Sequence, residues 1–323
     1  MQFGAKLVQL QKWFIQGNSR RFQRVDIHVQ CYITPKDPID QREVFALGIN
    51  YFTEQTHNQI QSIKEELRQL LKKLPGEHQK IDQMFWVILQ QSELFADAIK
   101  QVSAGKSPQM SSLSWQHLLD HRHGFRELQT IEHSSPKTYQ YLKAAEKKFT
   151  TFLNFFIQCL QQSNQKHFSA IHPLPEANFE IDQLVKSFRQ PKFSHLPLAQ
   201  LLLKLCEIMG LIINVFSDFY NDLYLHNYPK LWPSVPANIS IGGIALTTSK
   251  HYEKFMRVKV RLYFAATRRT LEFDGVVVNT KEEAKGEWVA INFELPDGSM
   301  QDELQQMIYQ YEIHETFGLK LPY

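Results

Sequence analysis

Cysteine is scarce in this chain of 323 residues: Cys31, Cys159 and Cys206 are three in number and far apart, and no two form a CxxC pair. That excludes a disulfide framework and a zinc ribbon, and it fits a reducing, cytoplasmic setting. Charge of one sign is also missing. The 36 Lys and Arg against 33 Asp and Glu leave a net charge of +3, too balanced for the extended positive field of a protein that wraps a nucleic acid polymer. Thirteen glycines and 14 prolines are too few for a fibrous or linker-dominated chain. No long uninterrupted apolar run occurs: Lys204, Glu207 and Asp218 break the greasiest stretch, Leu196 to Leu225, which reads as a buried helix rather than a membrane span. The N-terminal stretch carries Lys12 among its apolar residues and lacks a small-residue cleavage site, so a secretory signal is not expected. Enzyme signatures are absent too, with no G-x-S-x-G elbow, Walker loop or H-E-x-x-H in the chain.

What is present is a composition 43% hydrophobic and 12% aromatic, enough for a folded core. Val25, Ile27, Val29, Cys31 and Ile33 alternate with polar neighbours up to Pro35, the pattern of a half-buried strand. The same period returns at Val258, Val260, Leu262 and Phe264, and at Val289, Ile291 and Phe293, with a β-rich segment at 270–279 between them. From about Gln41 to Tyr228 the period is helical, punctuated at Pro75-Gly76, Gly105 to Pro108, Ser134 to Pro136 and Pro173 to Pro175. Two stretches carry heptad spacing: Ile60, Ile63, Leu67, Leu70 and Leu74, and Leu142, Ala145, Phe149, Phe152, Phe156 and Cys159. Such seams serve a helical-bundle core or an oligomeric interface equally well. A lone first strand two hundred residues from its partners must join them or leave its backbone unpaired. The expectation is therefore an α+β chain: residues 1–36 supply the first strand of a small antiparallel barrel, 37–232 are an all-α insertion, and 233–323 complete the barrel with a C-terminal helix from about Gln301.

Two motifs flank the insertion. Arg20, Arg21 and Arg24 stand just before the first strand, and Asn238-Ile239-Ser240-Ile241-Gly242-Gly243 stands just after the helical region. Arginine grips phosphates and guanine edges bidentately, Asn and Ser can hydrogen-bond a base edge, and glycine allows close backbone approach and positive φ. Together these resemble the RxxxR and D/N-x-S-x-x-G signatures of the PilZ domain family, with the resemblance covering about residues 17–36 and 234–315. The interruption between the two motifs is similar to that of atypical, tetrameric PilZ proteins. The resemblance implies a bacterial regulatory receptor, not an enzyme, that binds cyclic di-GMP through Arg20, Arg21, Arg24, Asn238, Ser240, Gly242 and Gly243, with no further cofactor. It also implies a protein partner or self-association through the insertion. The alternative is a structural or adaptor protein that keeps the barrel and a helical oligomerisation region and binds no nucleotide.

Other clusters weigh less. His117 and His121 share a helical face beside His123, and Glu54 and His57 have a di-metal spacing, but the second pair such a site needs is missing. They read as polar helix surface. Arg257, Lys259, Arg261, Arg268 and Arg269 read as a solvated barrel exterior.

Overall fold

The computed structural model describes residues 24–36, 39, 41–73, 79–125, 128–171, 173–176, 179–248, 250–265, 267–283, 286–294 and 298–317. Arg20, Arg21, Leu74 and the Pro75-Gly76 turn lie outside the described residues. The chain divides into two compact units, one spanning Ile39–Tyr224 and the other made of the residues on either side of it.

The second unit is a closed antiparallel barrel with strand order β1-β2-β3-β6-β5-β4. Its strands are β1 (Val25–Pro35), β2 (Ser234–Ser240), β3 (Gly243–Thr248), β4 (Arg257–Phe264), β5 (Arg269–Glu283) and β6 (Gly286–Glu294). The lone N-terminal strand closes it. The first half of β1 pairs with β2, Val25 opposite Ile239 through Gln30 opposite Ser234, and the second half pairs with β4, Gln30 opposite Tyr263 through Pro35 opposite Val258. Every period-2 apolar position of β1 is spent inside: Ile27, Val29, Cys31 and Ile33 pack with Ile239, Ile244, Val260, Leu262, Phe273 and Ile291. Phe273 and Phe293 stack inside the barrel with centroids 4.6 Å apart. Leu304 and Ile308 of the C-terminal helix, Gly298–Phe317, join the same core.

Gln30, where β1 changes partner, also holds the chain returning to the barrel. Its Nε2 donates to the carbonyls of Lys230 and Trp232, each at 3.0 Å. Trp232 is 2% exposed, stacks on Tyr32 at 5.4 Å and donates its indole N–H to the Leu225 carbonyl at 2.7 Å. An indole buried with its N–H satisfied is a strong anchor.

The helical unit contains α1 (Glu54–Leu71), α2 (Gln79–Ser103), α3 (Ser112–His121), α4 (Pro136–Gln161), α5 (Glu180–Phe188) and most of α6 (Pro197–Leu225). Thr53 caps α1 by accepting the Thr56 N–H, and Pro136 opens α4, where its missing N–H costs nothing. The α4 heptad seam is core: Leu142, Ala145, Phe149, Phe152, Phe156 and Cys159 are all at most 2% exposed, packed with the unit's own residues. Phe156 meets Phe95 at 5.5 Å and Phe216 at 5.6 Å. Of the α1 seam, Ile60 and Leu67 are buried while Ile63 and Leu70 are half-buried. By length and composition α6 is apolar enough to cross a membrane, the one such helix among the described residues, and 56% of its most apolar window is buried in the protein.

Candidate functional site

The β1–β2 ladder brings Arg24, the last arginine of the first motif, to Asn238 of the second. Asp26 lies opposite Asn238 in the register, so the residue entering β1 two places earlier reaches the same row. Arg24 donates from Nη1 to Asn238 Oδ1 at 3.2 Å, a contact that spans 214 positions of sequence. The carboxamide in turn donates from Nδ2 to Asp26 Oδ1 at 2.7 Å. Asn238 thus stands between a cation and an anion and aligns both. This chain of three is exposed on the barrel wall, where a solute can reach it. Asp26 carries no motif, and only the strand register reveals its place in the site.

The rest of the second motif forms the joint after β2. Ser240 is 4% exposed and pairs with Gly243, so Ile241 and Gly242 make a two-residue connection. Gly242 accepts the Phe293 N–H at 3.0 Å. Positive φ, one of the two reasons expected for glycine here, does not apply. Positive φ among described glycines belongs to Gly48, Gly105, Gly124 and Gly286, not to Gly242 or Gly243. Gly243 is demanded by the neighbouring strand instead, because a Cβ there would lie 2.3 Å from the Ile291 carbonyl oxygen. Gly275, on the other side of β6, is confined in the same way by Ile291 and Asn292. Glycine at such points lets strands approach closely where a barrel bends.

On the β4 and β5 side of the barrel, Arg257, Lys259, Arg261 and Arg269 are paired with carboxylates. Arg257 meets Glu294 at 3.1 Å, Arg261 meets Glu272 at 2.6 Å, Lys259 also meets Glu272, and Arg269 meets Glu303. Lys36 bridges Asp274 and Glu294 at 2.8 and 3.3 Å. Hydrogen bonding from Arg257 lowers the Glu294 carboxyl below its ordinary range despite a partial opposing effect of burial. Burial pushes Glu272 up, but the hydrogen bonds from Lys259 and Arg261 outweigh it and leave that carboxyl low as well. Cations paired in this way are a solvated wall rather than a polyanion track. Cys31 is no nucleophile: burial pushes its thiol up to about 12. Among the described residues no group of three His, Cys, Asp or Glu is placed to hold a metal ion.

The PilZ domain family model matches residues 218–310. That match contains β2 to β6 and leaves out β1, which the pairing register adds to the barrel. Among solved structures, YcgR from Escherichia coli in complex with c-di-GMP is 14% identical, with 27% of this chain and 39% of that chain covered at a TM-score of 0.23. A Xanthomonas campestris protein, described as a tetrameric PilZ domain self-assembled through a helical bundle, is 16% identical, with 42% of this chain and 76% of that chain covered at a TM-score of 0.26. The present chain therefore spans well under half the length of the YcgR structure and about three quarters of the second. No curated protein sequence matches the chain.

Proposed function

We propose that this chain, whose residues 218–310 carry a PilZ domain, is a receptor for cyclic di-GMP and acts by regulation rather than catalysis. Its ligand-binding residues are Arg20, Arg21 and Arg24 on one side and Asn238, Ser240, Gly242 and Gly243 on the other. What supports this reading is a single contact, Arg24 to Asn238 at 3.2 Å, which joins one residue of each motif across the insertion. Guanidinium groups pair bidentately with phosphate oxygens or with O6 and N7 of guanine, and a cyclic dinucleotide offers both. The buried Ser240 shapes the β2–β3 joint, and Asn238 orients its two charged neighbours.

The output is the helical insertion. The site lies on the β1–β2 ladder four residues from the row of Gln30 and Ser234, roughly 13 Å along the strands. Gln30 holds the returning chain at Lys230 and Trp232. Ligand tightening the ladder at one end thus acts on the connection to the insertion at the other. The insertion in turn engages a partner protein or a second copy.

Isothermal titration of the purified chain with cyclic di-GMP, beside cyclic di-AMP and an Arg20→Ala/Arg24→Ala double variant, tests the reading. Micromolar or tighter binding, selective for the guanine ligand and lost in the variant, is the expected result. A folded protein that gives no heat and no thermal shift refutes it and leaves a barrel-and-helix adaptor.

A further inference from the structure

The wall beside the Arg24–Asn238–Asp26 chain is not flat. A shallow depression of about 310 Å³ has a lining that includes Asp26, His28, Asn238, Ala245, Thr247 and Trp288. The register explains its shape. Asp26, Asn238, Ala245 and Ala290 form one cross-strand row over β1, β2, β3 and β6, so the row falls from two polar side chains to two methyl groups. Trp288 stands in the adjacent row opposite Thr247 and rises beside that low floor. The Asp26 carboxylate and the His28 imidazole at one side, the Trp288 indole at the other and Ala245 between them describe a seat for something flat. The volume is at the low end for ligand sites, enough for one base and not for a whole dinucleotide.

We infer that this depression is a base-reading subsite, in which Asp26 accepts hydrogen bonds from the Watson–Crick edge of guanine while Trp288 lies against the ring. The inference rests on the cyclic di-GMP reading and adds to it the residue that sets base preference. The Watson–Crick edge of guanine presents two adjacent donors, N1–H and N2–H. An ionised carboxylate is acceptor-only and has two oxygens. Only one acceptor position, on Oδ1, is used by Asn238, whose 2.7 Å hydrogen bond also fixes the carboxylate's plane. Arg24 fixes Asn238 from the other side at 3.2 Å, so the reader of the base is braced by the motif itself. Adenine offers an acceptor, N1, beside its N6 donor, and a carboxylate repels that acceptor. Stacking on Trp288 is tolerant of base identity, since every base has a π face. Discrimination is therefore Asp26's and grip is shared with Trp288.

Titration of the full chain with cyclic di-GMP and cyclic di-AMP separates these roles. Asp26 is exposed, so Asp26→Asn leaves the fold and the melting temperature in place. Its carboxamide presents one acceptor and one donor, the complement of adenine rather than guanine. The expected result is a loss of about 10- to 100-fold in cyclic di-GMP affinity and a narrowed or inverted preference between the two ligands. Trp288→Ala is expected to weaken whichever ligands bind by a similar factor, about 10-fold, leaving the preference unchanged. If Asp26 is only a negative charge beside Arg24, removing it strengthens both phosphodiesters alike, and that outcome overturns the inference. Unaltered discrimination in Asp26→Asn overturns it too. Wild-type protein that binds neither nucleotide overturns the receptor reading, and the subsite falls with it. In the other two refutations the wild type binds and the receptor reading stands.

Discussion

The same substitution at two glycines should move stability in opposite directions. Gly243→Ala puts a methyl group 2.3 Å from the Ile291 carbonyl oxygen, where ordinary contact begins at 3.4 Å. The obstacle is main chain, so it cannot rotate away, and β3 must part from β6 by about 1 Å. Forcing an extra carbon into a packed site costs about 1–3 kcal/mol, and straining a ladder hydrogen bond adds about 0.5–1.5 kcal/mol. The sum, about 1.5–4.5 kcal/mol, corresponds to a fall of roughly 5–15 °C in the melting of the barrel. Gly210 sits inside α6 and a Cβ there meets nothing within 4 Å. Alanine in an unobstructed helix interior gains about 0.5–1 kcal/mol over glycine, so Gly210→Ala should raise the melting of the helical unit by a few degrees. Denaturant and thermal unfolding followed by far- and near-ultraviolet circular dichroism measure both. A Gly243→Ala protein that melts with wild type refutes the packing account and returns that glycine to a purely ligand-facing role. A destabilised Gly210→Ala protein refutes the claim that the α6 site is open.

Three further outcomes are expected. Trp232→Ala removes a 2% exposed indole, its stack on Tyr32 and its bond to the Leu225 carbonyl, and should cost about 3–5 kcal/mol in chemical unfolding of the barrel. Phe156→Ala should cost a similar amount in the helical unit without changing the oligomeric state seen by sedimentation, because that seam faces inward. His226 has its pKa lowered, first by burial and then by Arg261, with Glu272 opposing, and its Nδ1 lies 3.3 Å from the Arg261 guanidinium. Below the ordinary value of 6.5 the unfolded chain takes up a proton that the folded one refuses. The stability this histidine permits is thus full above that value and declines as pH falls through it. Melting curves from about pH 8 to 5.5 should therefore slope less in His226→Gln than in wild type, and equal slopes refute the assignment.

Much of the barrel was legible because alternation reports a wall with one dry face. Ile27, Val29, Cys31 and Ile33 gave β1 away, and Val258, Val260 and Leu262 gave β4. By contrast β2 contains Pro236 and Asn238, both poor strand formers, and only its motif marked it. The heptads of α4 could not announce their partner, since an intramolecular core and an oligomeric seam demand the same 3.5-residue spacing. The need for Gly243 was illegible for a different reason: the atom that forbids a side chain belongs to Ile291, on a strand that sequence cannot place beside it. Asp26 was read as one more polar position of an alternating strand, and nothing local distinguishes it from His28.

Why an insertion of this size leaves the site intact follows from where it enters. It interrupts the connection between β1 and β2, neighbours in the barrel whose own pairing, Val25 opposite Ile239 through Gln30 opposite Ser234, is complete without it. Closing a loop costs entropy that grows only with the logarithm of its length, and a connection that folds into its own core stops behaving as a loop at all. The helical unit has such a core, built on Phe95, Phe149, Phe152, Phe156 and Phe216. Register, not proximity in sequence, then fixes which residues meet: one slip of β1 against β2 would turn Ile27 and Val29 outward. The apolar interior of β1 is therefore what holds Arg24 and Asp26 against Asn238. The integrity of the candidate site is a consequence of barrel packing, with no requirement that the motifs be close in the chain.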